Sequence, residues 1–203
     1  MATAGSRMTD ELIPFPARAG AADLTATRES VERIAERLSA GSCPPDADFD
    51  QFLMEPLRAV SPQHWTPLPV VLRAAEWLDE YRIRTVIDIG SGAGKFCVGA
   101  ALACHCHFTG LEQRTRLVAG ARALAQTFNV ESRVHFIHGK LGAARLPATD
   151  AFYLYNPFEE NRLTQPERID DEVELSAERE TNDLRLLREL LEMVRAGTYV
   201  MTY

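Results

Sequence analysis

Residues 86–95 read VIDIGSGAGK. The run 85–89 is short, β-branched and apolar and breaks at Gly90, while residues 93–103 continue as small and apolar side chains suited to a buried helix. That is the pattern of a strand, a tight turn and a helix. Gly90, Gly92 and Gly94 let the backbone turn sharply and come close to a ligand, because a Cβ at those points would obstruct it. The helix opening near Gly94 aims free N–H groups at that ligand, and the carboxylate of Asp88 can accept from an ammonium. The turn therefore predicts a ligand with a cationic end.

The alternation continues toward the C-terminus. Residues 108–111 predict a second strand, 117–128 a helix with Val118, Ala121, Leu124 and Ala125 facing inward, and 134–138 a third strand. A fourth strand is expected over 151–155, a strongly periodic helix over 183–194 and a fifth strand over 198–203. Strands alternating with helices imply an α/β fold, a mostly parallel sheet with helices on both faces and ligands beyond the carboxyl ends of its strands. Glu112 stands at such an end, where an acid can bridge two ribose hydroxyls, so the ligand is expected to be a nucleoside. A glycine turn by itself also serves as a ligand-free bend; strand, turn, helix and acid together carry the signal.

Toward the N-terminus, residues 1–22 are rich in Ala, Gly, Pro and Thr without apolar periodicity and are expected to form a mobile tail. Leu24, Val31, Ile34, Ala35 and Leu38 recur at helical spacing, and Pro44 and Pro45 follow where the pattern stops. A short helix is expected around 49–60 with Pro56 near a start or a kink, and another over 70–81. Between them stands SPQHWTPLP, residues 61–69. The expected division is a tail (1–22), a helical extension (23–82) and a ligand-binding core (83–203).

The 203 residues are 46% hydrophobic and 25% charged, ordinary for a globular domain. With 29 acidic against 22 basic side chains, the surface as a whole repels phosphate backbones, which disfavours nonspecific nucleic-acid binding. No apolar run approaches the roughly 20 residues that span a bilayer, and a cytoplasmic protein without membrane contact is expected. Cys43, Cys97, Cys104 and Cys106 resemble no disulfide framework and are expected to be reduced. The cluster Cys104, His105, Cys106, His107 invites a zinc reading. Adjacent residues cannot all point at one tetrahedral centre, however, and no second Cys/His cluster follows, so no metal is expected.

Residues 86–94 match the first motif of the class I S-adenosylmethionine (SAM)-dependent methyltransferases, which runs hydrophobic, hydrophobic, Asp or Glu, x, Gly, x, Gly, x, Gly. The resemblance implies a Rossmann-like core in which Asp88 and the loop Gly90, Ser91, Gly92 and Gly94 hold the methionine part of SAM. Glu112, in GLEQR, would hold the ribose, with Gln113 beside the adenine. After the third strand the family often has an acidic residue near the adenine amino group. This chain has His138, Gly139, Lys140 and Leu141 instead, so Gly139 and Lys140 are the candidates there, with a solvated surface charge as the alternative for Lys140.

Tyr155, Asn156, Pro157 and Phe158 resemble, one proline short, the Asn-Pro-Pro-aromatic motif of methyltransferases acting on amide or exocyclic amine nitrogen. Asn156, also near the cofactor, would accept the N–H bonds of the nucleophile so that its lone pair faces the methyl group, and Phe158 would supply a flat wall. The alternative is a proline turn capped by Asn156. SPQHWTPLP resembles the Thr-Pro element that covers the cofactor in several of these enzymes, which points Thr66 at the SAM carboxylate. The motif order is also distantly similar to the non-SET histone-lysine methyltransferases. The long polar stretch 158–183 is expected to be a lid or substrate loop whose acidity favours a cationic partner, or else a solvated flap.

The expected function is methyl transfer from SAM, with nitrogen the favoured acceptor atom, on a protein side chain, small metabolite or nucleobase. Two alternatives stand beside it. A non-catalytic SAM-binding regulatory module would keep the cofactor site alone. A nicotinamide-dependent oxidoreductase fits less well, because Lys95 occupies the final glycine position of G-x-G-x-x-G. Since the class adds a hairpin after its fifth strand and this sequence stops at Tyr203, the sheet edge is expected to be covered by further chain, a partner or a second copy.

Overall fold

The structure is a computed structural model that describes residues 21–202. Most of the expected tail lies outside the described residues. Strands β1 (Thr85–Ile89), β2 (His107–Glu112), β3 (Val134–His138), β4 (Ala151–Leu154) and β5 (Tyr199–Thr202) form one parallel sheet in the order β3-β2-β1-β4-β5. The chain winds outward from β1 to β3 and then returns to lay β4 on the other side of β1. That reversal opens a crevice beyond the carboxyl ends of β1 and β4.

Helices α1 (Ala21–Ser39), α2 (Asp46–Asp50), α3 (Glu55–Ala59), α4 (Ser61–His64) and α5 (Leu68–Glu80) precede the sheet, and α6 (Lys95–Ala103), α7 (Thr115–Thr127) and α8 (Ala177–Met193) are interleaved with it. Alternation along each strand sorts the side chains between two faces. Val86, Phe108, Val134, Phe136 and Tyr153 join the larger core with α1, α5, α6 and α7. Ile87, Ile89, Leu111, Phe152 and Leu154 point the other way, where Leu187 of α8 and the β3–β4 connection cover them. Residues Lys95 to Ala101 of α6 are all buried, which is why that sequence is apolar on every side. Among the described residues no helix is long and apolar enough to cross a membrane.

Two elements differ from expectation. The single helix expected over 49–60 is two short ones, α2 and α3, because Pro56 sits in the first turn of α3, where its missing N–H is not needed. Helix α8 starts at Ala177, with the Ser176 hydroxyl accepting from Arg179 N at 3.1 Å as its cap. Its first turns carry no apolar stripe because their half-buried positions are Arg179, Glu180 and Asp183.

Candidate cofactor and acceptor site

The turn after β1 is fixed by its neighbours. Gly90 N and Ser91 N both donate to Leu111 O, at 2.9 and 3.0 Å, so the loop is hung from the end of β2. Gly92 has φ +54°, and a Cβ there would meet the Trp65 ring at 2.4 Å. Trp65 therefore lies directly on the loop, held by its indole N–H donating to Leu57 O at 2.9 Å. The carboxylate of Glu112 accepts from Gly92 N at 3.1 Å and Arg114 N at 2.9 Å. Gly94, at the start of α6, is set behind the loop against Phe136 and Ala121 and lines none of the cavities described below.

Asp88 is 4% exposed. Burial pushes its carboxyl up to about 7, the Cys97 thiol donating to it at 3.4 Å offsets part of that, and Glu112 adds to it. Glu112 is also raised by burial, against the pull of its amide donors. Among the described residues no cation stands beside Asp88, whereas the Arg114 guanidinium pulls Glu112 down in part. The nearby Lys95 is already held by Asp46, by Asp50 at 2.8 Å and by the Ser61 hydroxyl at 3.3 Å, which ties the N-terminal helices to the loop.

Three cavities meet at Gly90. The innermost, about 20 Å³, touches Thr66, Asp88, Ser91 and Tyr155. The middle one, about 140 Å³, runs past Trp65, Gly92, Glu112, Asn156 and Pro157. The outer one, about 50 Å³, lies between Glu112, Gln113, Gly139, Lys140, Leu141, Phe158, Asn161 and Asp183. Together they line up the expected cofactor residues from Thr66 to Lys140 in one curved crevice, Gly94 excepted. Thr66 Oγ1 lies 3.3 Å from Tyr153 OH, and the buried Ser91 hydroxyl has no hydrogen-bond partner among the described residues.

On the acceptor side, Asn156 has φ +43° and is exposed at the boundary between the middle cavity and a further one of about 320 Å³. This further cavity also touches Phe158, Leu154, Leu184 and Leu187. Asn156 O accepts from Glu159 N at 3.1 Å, closing a turn, and Pro157 packs against Gly90. Phe158 lines the outer cofactor cavity as well as the acceptor-side one.

No protein-family model and no curated protein matches the sequence. Solved structures do match. An RNA methyltransferase from Salinibacter ruber, in complex with S-adenosyl-L-homocysteine, is 27% identical with a TM-score of 0.50, over 68% of this chain and 75% of that one. The O-methyltransferase from Bacillus cereus in complex with SAH superposes with a TM-score of 0.56 at 15% identity, over 86% of this chain and 74% of that one. The chain has the class I methyltransferase fold.

Within this methyltransferase fold, several residues of the site escaped the sequence reading. Arg114 is 3% exposed; its guanidinium meets Glu160 at 2.8 Å and Asp170 at 2.9 Å, and Thr115 N donates to Glu172 at 2.9 Å. The polar stretch after β4 is thus fastened beside the crevice, where Glu159, Glu160, Leu163 and Ile169 line the middle cavity, and three of its acids are used internally rather than offered to a partner. Arg179 of α8 donates to Gln113 Oε1 at 2.5 Å and lies 3.6 Å from Asp183. Arg114 stands inside GLEQR and was available to the eye. Arg179 and Asp183 come from a distant helix, and no local pattern announces them.

Proposed function

We infer that the protein is a SAM-dependent methyltransferase. The observation that carries this is the crevice through Gly90, in a fold whose solved neighbours carry the SAM product. The residues present fit the cofactor. Among the described residues Asp88 is a buried carboxylate with no cation beside it and the Ser91 hydroxyl is a buried donor with no acceptor, while Glu112 lines both the middle and the outer cavity. In this reading Asp88 binds the ammonium, Thr66 and the loop of Gly90, Ser91 and Gly92 hold the carboxylate end, and Glu112 takes the ribose hydroxyls. Gln113, Gly139 and Lys140 flank the base, and Asp183 adds an acceptor for an exocyclic amine.

SAM supplies an electrophilic methyl group on a sulfonium sulfur. The chain's own residues have to align the nucleophile, keep it neutral and exclude water. Asn156 would accept the N–H bonds of an acceptor nitrogen, and Phe158 would wall its flat face. Because the leaving group is already activated, positioning supplies most of what the protein contributes. The cavity beyond Asn156 is at the small end of the roughly 300–1,000 Å³ range of ligand pockets, which suits one ring or one side chain as the acceptor group.

Mass spectrometry of ligand copurifying with the protein, followed by calorimetry with SAM, tests the reading. Asp88→Ala and Glu112→Ala should each weaken SAM binding about tenfold or more, the loss of a charged hydrogen-bond partner. Folded variants that retain wild-type affinity would remove the cofactor from this crevice. Turnover to S-adenosylhomocysteine with a substrate pool separates an enzyme from a regulatory module.

A further inference from the structure

Cys104 and Cys106 lie at the amino end of β2, the opposite end of the strands from the crevice, in the turn that leads from α6 into β2. Cys104 follows the end of α6 with extended backbone, φ −137° and ψ 179°. Both thiols are buried, whereas His105 and His107 are exposed. The third group comes from elsewhere: the carboxylate of Asp79, in the last turn of α5, and the two Sγ atoms all lie within 4.8 Å of one another. Tertiary structure thus completes a ligand set that adjacent residues alone could not form.

We propose that Asp79, Cys104 and Cys106 bind one thiophilic divalent cation, of which Zn²⁺ is the natural example. Two sulfurs and one carboxylate oxygen suit a borderline-soft ion and are a poor set for Mg²⁺ or Ca²⁺. Zn–S bonds of about 2.3 Å put tetrahedral ligand atoms roughly 3.7 Å apart, so the side chains need move by only about an ångström. The thiols form the buried floor and the exposed Asp79 the entrance, which leaves the fourth position to water. Binding releases the two thiol protons to solvent. Two thiolates and a carboxylate around a dication leave a single negative charge, beside the Arg133 guanidinium that bonds Cys104 O at 2.8 Å. The ion would clamp the end of α5 to the α6–β2 turn, a structural role remote from methyl transfer.

The test uses the full reduced chain and Cd²⁺ as probe, followed by the ultraviolet charge-transfer absorption of thiolate–metal bonds. We expect saturation at one Cd²⁺ per chain, competition by Zn²⁺ and a higher melting temperature with either ion. Cys104→Ser and Cys106→Ser should abolish the absorption, Asp79→Asn should weaken binding about tenfold, and Cys43→Ser and Cys97→Ser should leave it intact. X-ray absorption of the Zn²⁺-loaded wild type needs no variant and should find two sulfur neighbours. The proposal fails if stoichiometric Cd²⁺ gives no absorption, if the absorption survives the double serine variant, or if zinc shows no sulfur shell.

Discussion

Arg114 and Glu160 form a partly buried ion pair, 2.8 Å between Nη2 and Oε1, that fastens the segment after β4 to the end of β2, two residues beyond Glu112. The same guanidinium also holds Asp170, which Arg116 pairs with as well at 2.9 Å, so Arg114 is the central but not the sole fastening of this segment. Removing Arg114 leaves the half-buried Glu160 and Asp170 carboxylates without their charged donor, and the expected loss is about 1.5–3 kcal/mol. Arg114→Ala should lower the unfolding free energy by this order in urea titration and speed amide exchange over residues 158–172. Arg114→Lys should recover only part, because an ammonium cannot offer the same fork to two carboxylates. Unchanged exchange in Arg114→Ala would show that this segment is held by its other contacts.

Asp88 gives a pH dependence of defined sign. Burial pushes its folded carboxyl up to about 7 from an ordinary value of 3.8, so between those values the folded protein holds a proton that the unfolded chain has released. Stability should therefore fall as pH rises through this window, by at most about 1.4 kcal/mol per pH unit from this group. Glu112, also raised, acts in the same sense. Asp88→Asn should flatten the fall and be the more stable protein at pH 8. SAM affinity should move oppositely in the wild type, tightening as Asp88 ionises, and calorimetry at pH 6 and pH 8 reads this directly. Equal affinities at the two values would separate Asp88 from the ammonium.

Asn156 can be judged by its backbone. At φ +43° an asparagine is tolerated and a glycine is comfortable, whereas alanine is strained. If the side-chain amide orients the acceptor, Asn156→Ala and Asn156→Gly should both slow single-turnover transfer, on the order of 10²-fold, and barely change SAM binding. A turn with no chemical role would show Asn156→Gly at wild-type rate.

Gly92→Ala should destabilise the fold on two counts. The new methyl group meets the Trp65 ring at 2.4 Å, an overpacking of about 1–3 kcal/mol, and an alanine at positive φ adds about 1–2 kcal/mol. Trp65→Leu in the same chain should restore the first part only. Thermal denaturation of the single and double variants separates the two.

The fold was legible where one local rule decided the structure. Residues 85–95 left no other reading, since a β-branched run cannot continue through three glycines and a wholly apolar helix needs a buried slot. The start of α8 was not legible, because the half-buried positions of its first turns are charged and the helix there is fastened by Ser176 and by polar contacts rather than an apolar stripe. The break between α2 and α3 was missed because the permitted place for Pro56 depends on where the helix begins. For the site, sequence picked out the residues near the glycine loop, and the structure gathers most of them in one crevice. Their chemical roles await the variants above. Arg179, Asp183 and Asp79 were invisible for a shared reason: each becomes relevant only through a neighbour distant in the chain.

Trp65 gives the protein an optical reporter. Its indole packs on Gly92 and lines the middle cavity, while the other tryptophan, Trp77, is exposed on α5 beneath the Arg73 guanidinium, 4.9 Å from its ring centroid. Trp77→Phe would leave a single emitter at the crevice. Its fluorescence would then follow ligand arrival and departure in stopped-flow without a label.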